Sequence, residues 1–205
     1  SVEYVLNEGL NYTSGPQWLS QFVLSDKWVL GVAGTHGKTT TSAMLAWMLD
    51  YAGMKPGYLI GGVTNNLPMS ASMGDSPFFV VEADEYDSAF FDKTAKFLKY
   101  LPNVAVIGNV EFDHADIYTD FEAVQTAFRR FVRLLPANGL LLLGADNPEA
   151  LSLQQFAPCR VETFGLSSKA DWCASQIVQS QDSTAFQVRR HGVPFLSRDV
   201  FLDVS

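Results

Sequence analysis

The sequence predicts an α/β protein of the P-loop type: a mostly parallel sheet flanked by helices in three layers, with a C-terminal antiparallel β extension. Three observations carry this. An apolar run at Val29, Leu30 and Val32 turns through Gly34 and Gly37 into a helical segment with Met44, Trp47, Met48 and Tyr51 at i, i+3, i+4, i+7 spacing. Phe78–Val81, Val104–Ile107 and Leu140–Leu143 are apolar on both faces, which suits parallel strands covered by helices on both sides. From Cys159 onward helical periodicity gives out and short strand-like runs follow.

The elements follow in order. Up to about Asp26 the chain reads as a lead-in, where Pro16 suits the first position of a helix through Trp18, Leu19 and Phe22. The strand at Val29–Val32 opens into Gly34-Thr35-His36-Gly37-Lys38-Thr39-Thr40. There, glycines bring backbone N–H groups close to an anion at a helix start. Lys38 supplies a mobile cation for β and γ phosphates, and the Thr39 hydroxyl supplies an oxygen for Mg²⁺. The general pattern G-x-x-x-x-G-K-[ST] asks for a glycine where Val32 stands. Gly53 ends the helix, Gly57–Gly62 is a short apolar strand, and Thr64-Asn65-Asn66 is a loop.

Phe78–Val81 runs into Glu82-Ala83-Asp84-Glu85-Tyr86-Asp87, four carboxylates at the carboxyl end of a central strand, where open α/β sheets bind their ligands. Crowded like charges call for a divalent cation there. Val104–Ile107 empties to the same edge through Gly108-Asn109-Val110-Glu111-Phe112-Asp113-His114, and His114 is a candidate metal ligand. Thr119-x-x-Glu122 reads as a capping box for an apolar-faced helix over Phe121, Val124, Phe128, Phe131, Val132 and Leu135. Pro136–Gly139 stops it, Leu140–Leu143 is a further buried strand, and Asp146-x-x-Glu149 starts a short helix with Pro148 in its first turn. Val161–Phe164, Trp172–Val178, Ala185–Val188 and Phe195–Val204 are expected to pair antiparallel at the edge of the main sheet.

Composition limits the partners. The 205 residues, 47% hydrophobic, are ample for a core, and a net charge of -8 from 14 basic and 22 acidic residues disfavours nucleic acid. No run approaches the length of a membrane span, and the amino terminus lacks a signal peptide's basic start. Cys159 and Cys173 lack metal-ligand spacing, so two free thiols in a reducing cytoplasm are expected.

Three pieces in order, Gly34-Thr35-His36-Gly37-Lys38-Thr39-Thr40, Glu82-Ala83-Asp84-Glu85 and Asn109-Val110-Glu111-Phe112-Asp113-His114, resemble the central ATPase domain of the Mur ligase family. Its form of the phosphate loop, G-T-x-G-K-T, also accounts for Val32. Within the family the chain is similar to members that take UDP-N-acetylmuramate. Gly9–Trp18, Asp87–Lys93 and Phe112–Tyr118 look more like the member that adds the tripeptide L-Ala-γ-D-Glu-meso-diaminopimelate than the one that adds L-alanine.

The resemblance implies that residues 34–40 bind ATP and that Lys38 holds the transferring phosphate. It further implies that Thr39 and Glu82 hold one Mg²⁺ and that His114 helps to hold a second. Lys38, Glu82 and His114 would then be the catalytic set, and an acyl phosphate would precede the amide. It also implies that 1–205 is a central domain, with 1–26 a lead-in and 159–205 a β-rich extension, cut from a longer protein whose sugar-binding and amine-binding domains lie outside it. Such a fragment is expected to bind ATP·Mg²⁺ weakly and not to ligate. The rival readings are the L-alanine-adding ligase, the related folylpolyglutamate synthetases, a nucleotide-dependent switch and a plain interaction module; the guanine-reading N-K-x-D of GTPases is absent.

Overall fold

Helices and strands are interspersed as far as Gly165, and among the described residues only strands follow. The computed structural model describes residues 2–112, 117–181, 183–195 and 200–203. The order begins α1 (Val2–Asn7), α2 (Gly15–Leu19, continued by a π turn over Ser20–Leu24), β1 (Trp28–Ala33), α3 (Lys38–Tyr51), β2 (Gly57–Leu59), β3 (Ala71–Ser72) and β4 (Phe78–Glu82). It continues through a hairpin of β5 (Asp87–Ala89) and β6 (Asp92–Ala95), then α4 (Phe97–Tyr100), β7 (Val104–Ile107), α5 (Phe121–Val132), β8 (Leu140–Gly144) and α6 (Pro148–Ser152). The strands β9 (Arg160–Gly165), β10 (Trp172–Gln179), β11 (Ser183–Arg190), β12 (Val193–Pro194) and β13 (Val200–Asp203) complete it.

The main sheet has the order β12-β11-β10-β9-β8-β7-β1-β4-β2-β3, with β13 paired to β11. From β2 to β9 every pairing is parallel. Alternate residues of β4 go to opposite faces, so Phe79 and Val81 join a large cluster with Ile107, Leu141, Phe128 and Phe131, whereas Val80 joins a smaller one with Ala46 and Tyr58. These two clusters are the seams of a three-layer fold. Phe97 stacks on Phe131 at 4.6 Å and meets Phe128 edge-on at 5.3 Å, and each such fully buried ring contributes about 1.5–3 kcal/mol by area alone. The lead-in takes part in this core, since Val23 and Leu24 are buried in the large cluster.

Four sequence expectations need correction. The face that α3 turns to the sheet is Ser42 and Ala46, with Ala43, Leu45 and Leu49 half-buried. Met44, Trp47, Met48 and Tyr51 lie outward, Tyr51 at 82% exposure. Small side chains let the helix lie close on the strands, so the large ones are turned away, and Trp47 stacks on Tyr51 at 5.3 Å. The cap of α5 is Asp120 rather than Thr119; its carboxylate accepts the Ala123 N–H at 2.9 Å. The cap of α6 is Asn147 rather than Asp146, accepting the Ala150 N–H at 2.8 Å. Asp146 instead accepts N–H groups of Leu166 and Ser167.

The fourth concerns the extension. β9 continues the parallel array beside β8, and the first two residues of β10 pair parallel with β9 on one side, whereas on its other side β10 pairs antiparallel with β11, as do β12 and β13, in line with the expected extension. Of the run expected over Phe195–Val204, β13 holds Val200–Asp203, β12 lies just before it at Val193–Pro194, and residues 196–199, 204 and 205 lie outside the described residues.

The hairpin is tied down by Asp92, whose carboxylate accepts from Thr94 Oγ1 at 2.5 Å, Thr94 N at 3.2 Å and Lys99 Nζ at 2.9 Å. These bonds, the Thr94 hydroxyl first, hold its pKa down from 3.8 to about 2. A depressed carboxylate stabilises the fold above its unfolded pKa, and that contribution is lost as pH falls through the folded value. Asp92→Asn is therefore expected to lower stability by about 1–2 kcal/mol at pH 7. Urea midpoints of the two chains should converge as pH drops from 4 towards 2; a gap independent of pH would contradict the assignment.

Candidate active site

The phosphate loop joins β1 to α3, and its shape follows from two glycines. Gly34 has φ +131° and Gly37 φ +78°, values that L side chains rarely adopt. A Cβ on Gly34 would also sit 3.1 Å from the Asn109 carbonyl oxygen. Gly37 is the N-cap of α3 and brings no side-chain cap, so the first N–H groups of a 14-residue helix open on the loop.

Asn109 holds the loop from the far side. Its side-chain carbonyl accepts the His36 N–H at 2.8 Å and its backbone carbonyl accepts the Thr35 N–H at 3.1 Å. Thr35 Oγ1, in a residue only 6% exposed, accepts the Glu111 N–H at 2.9 Å. The loops after β1 and β7 are thus one stitched unit. The signal for Asn109 in the sequence was an Asn just after the glycine that ends a strand, a residue that readily bonds neighbouring backbone. The His36 ring stands outside in solvent, 3.6 Å from Glu111 and more than half exposed, and Thr40 is exposed in the first turn of α3.

Lys38 and Thr39 point to the end of β4. Lys38 Nζ donates to Gly34 O at 2.7 Å and Thr35 O at 3.1 Å, and lies 3.0 and 3.2 Å from the two carboxylate oxygens of Glu85. Thr39 Oγ1 donates to Glu82 Oε1 at 2.9 Å, while Glu82 Oε2 accepts the Gly61 N–H at 2.8 Å. The approach of this turn needs a glycine, because a Cβ on Gly62 would lie 2.7 Å from Thr39 Cγ2.

The expectation of four crowded carboxylates sharing a cation is corrected by these pairings. Asp84 is matched by Lys96 at 3.2 Å, Asp87 by Lys93 at 2.8 Å and Glu85 by Lys38. Glu82 instead faces a hydroxyl and an N–H. Among the described residues no cluster of three or more His, Cys, Asp or Glu side chains forms a metal cage. Magnesium does not require one, since it binds through one or two protein oxygens together with phosphate and water. The Thr39 hydroxyl and Glu82 carboxylate, in direct contact at the loop, fit that donor set. His114 and Asp113 lie outside the described residues, so the structure does not place the second proposed ligand.

Burial pushes the Glu85 carboxyl above the ordinary range, and the Lys38 ammonium offsets this only in part. The backbone carbonyl of Glu85 accepts the Tyr118 hydroxyl at 2.7 Å, and burial raises that phenol's pKa as well. A cavity of about 670 Å³ opens beside the loop, its lining including Lys38, Thr41, Asn109, Val106, Leu142 and Trp172.

A strand, a phosphate loop and a carboxylate at the next strand end are shared by many nucleotide-binding proteins. The profile of the Mur ligase middle domain, however, matches residues 32–198. The chain belongs to the Mur ligase family. It is 48% identical over 191 residues to a UDP-N-acetylmuramate–L-alanyl-γ-D-glutamyl-meso-2,6-diaminoheptandioate ligase of Haemophilus influenzae, covering 93% of this chain and 42% of the relative. It is 40% identical over 173 residues to a UDP-N-acetylmuramate–L-alanine ligase of Renibacterium salmoninarum, covering 83% and 36%. Among solved structures it matches the UDP-N-acetylmuramate:L-alanyl-γ-D-glutamyl-meso-diaminopimelate ligase of Neisseria meningitides with a TM-score of 0.84 at 48% identity, covering 94% of this chain and 61% of that one. The Mur ligase domain described here thus spans about two-fifths of the length of the Haemophilus relative.

Proposed function

We propose that the full-length protein is an ATP-dependent, ADP-forming ligase that joins L-Ala-γ-D-Glu-meso-diaminopimelate to the lactyl carboxylate of UDP-N-acetylmuramate. The segment described here supplies its ATP·Mg²⁺ site. The observation that carries the reading is the convergence of the Lys38 ammonium, the Thr39 hydroxyl and the Glu82 carboxylate on the N-terminus of α3. The greater identity to the tripeptide-adding relative favours that substrate over L-alanine.

In this reading the loop N–H groups and Lys38 take the β and γ phosphates of ATP, while Thr39 and Glu82 hold the magnesium ion. The ion supplies charge cancellation between two anions that would otherwise repel, a carboxylate and a triphosphate. Lys38 balances the charge on the transferring γ-phosphate as the substrate carboxylate attacks it, giving an acyl phosphate and ADP. The peptide amine then displaces phosphate to form the amide. The rigid stitching of Thr35 and His36 to Asn109 keeps the loop in one shape, so binding costs little reorganisation. His114 is proposed to complete a second metal position. ATP and UDP-sugars as substrates imply a cytoplasmic setting; no described helix is long and apolar enough to cross a membrane.

The deciding experiment supplies the full-length protein with ATP, Mg²⁺, UDP-N-acetylmuramate and either the tripeptide or L-alanine. ADP release and amide product with the tripeptide are expected. Product with L-alanine alone would shift the reading to the L-alanine ligase, and nucleotide hydrolysis without any amide would favour a switch.

A further inference from the structure

We propose that Glu85 is a positioning residue that exchanges Lys38 with the nucleotide: its carboxylate holds the ammonium until a nucleotide binds, and the incoming polyphosphate takes the ammonium over. This rests on the reading of the loop as an ATP site.

The argument begins from valence. An ammonium has three protons, and those of Lys38 are taken by Gly34 O, Thr35 O and the Glu85 carboxylate, at 2.7, 3.1 and 3.0–3.2 Å. A phosphate oxygen therefore reaches Lys38 only by displacing one of them. The two carbonyls belong to the loop backbone and are neutral. The carboxylate carries the same sign of charge as the phosphate, so it is the group the phosphate replaces. The pair is no ordinary surface ion pair, for its side chains are 11% and 3% exposed, and water screens their charges little. Glu85 is also kept at its post, because its own carbonyl is tied to the Tyr118 hydroxyl at 2.7 Å.

The exchange has a consequence that a purely structural salt bridge lacks. A buried carboxylate next to the phosphate site competes for the cation and repels the ligand, so neutralising it without changing its shape should tighten nucleotide binding. A structural bridge predicts the reverse, since losing it would loosen the loop and weaken binding.

The test uses the full-length protein and calorimetric titration with ADP and with a non-hydrolysable ATP analogue. Glu85→Gln is expected to bind both about three- to tenfold more tightly than wild type, and Glu85→Asp, which keeps the charge, is expected to show no tightening. Equal or weaker affinity in a folded Glu85→Gln protein would overturn the proposal while leaving the ATP site standing. Should that variant fail to fold, crystals of the wild-type protein with and without ADP decide. Separation of Lys38 Nζ from the carboxylate beyond about 3.5 Å in the ADP form supports the exchange, and an intact pair overturns it. A wild-type protein that binds no adenine nucleotide would overturn both this proposal and the reading it rests on.

Discussion

Lys38→Met in the full-length protein is expected to cut the rate of amide formation by about a hundred- to a thousandfold, the largest single effect the site offers. Lys38 is the cation held inside the phosphate loop by its own carbonyls, so the proposed phosphoryl transfer would lose its fixed positive charge. Removing one preorganised electrostatic contact of this kind typically costs about 3–4 kcal/mol in the transition state. Methionine keeps most of the stem volume, which separates loss of charge from loss of packing.

The substitution has a second effect. It takes the ammonium away from a Glu85 side chain that is only 3% exposed, and removing one partner of a buried pair costs about 3–5 kcal/mol if the charge stays. Burial already pushes the Glu85 carboxyl upward, so without Lys38 it is expected to take up a proton. The stability deficit of Lys38→Met should therefore shrink on acidification, and the double variant Lys38→Met/Glu85→Gln should recover stability at pH 7 without recovering activity. Ligation assays together with thermal unfolding at pH 7 and pH 5.5 check both. A single variant with turnover within tenfold of wild type would refute the proposed role of the ammonium.

Much of this site is legible in the sequence because it depends on local chain chemistry. Glycines at positive φ, a lysine and threonine at a helix start, and carboxylates after a doubly apolar strand are readable where they stand, and parallel topology places those strand ends on one edge. The pairing of charges across the fold is not local. Nothing in the run from Glu82 to Asp87 tells that Lys38, Lys93 and Lys96 each meet one of its carboxylates, because Lys93 sits on a hairpin and Lys96 at the start of a helix that the sequence hides. The segment Asp87–Ala95 is too short and polar to show strand alternation, and α4 is a single turn. The outward turn of Trp47 and Tyr51 is hidden for a related reason: spacing identifies a helix, whereas the face it buries depends on how closely it lies to the strands. The helix starts at Asp120 and Asn147 were each missed by one residue, because Thr119 and Asp146 are equally good caps by type.

The charge pairing leads to the sharpest contrast among the acidic residues. Glu82→Gln is expected to lower ligation on the order of a hundredfold and to move half-maximal activity to higher Mg²⁺ concentration, whereas Asp84→Asn and Asp87→Asn should change the Mg²⁺ dependence little. Asp84 and Asp87 are matched by lysines, and the Lys93–Asp87 pair is largely open to solvent on the lysine side. Among the described residues Glu82 faces only neutral donors in the Thr39 hydroxyl and the Gly61 N–H, so its charge is available to a cation. Glutamine keeps the size of the side chain and one carbonyl oxygen, but its amide must face either the threonine hydroxyl or the glycine N–H. The second of these is donor against donor, so the carbonyl will take Gly61 and leave the amide nitrogen in place of the oxygen proposed to bind the metal. Magnesium does not accept that nitrogen as a substitute for a carboxylate oxygen. Activity measured over a Mg²⁺ titration separates the cases, and a Glu82→Gln protein with unaltered Mg²⁺ dependence would remove this residue from the metal site and return the assignment to the other carboxylates of the run.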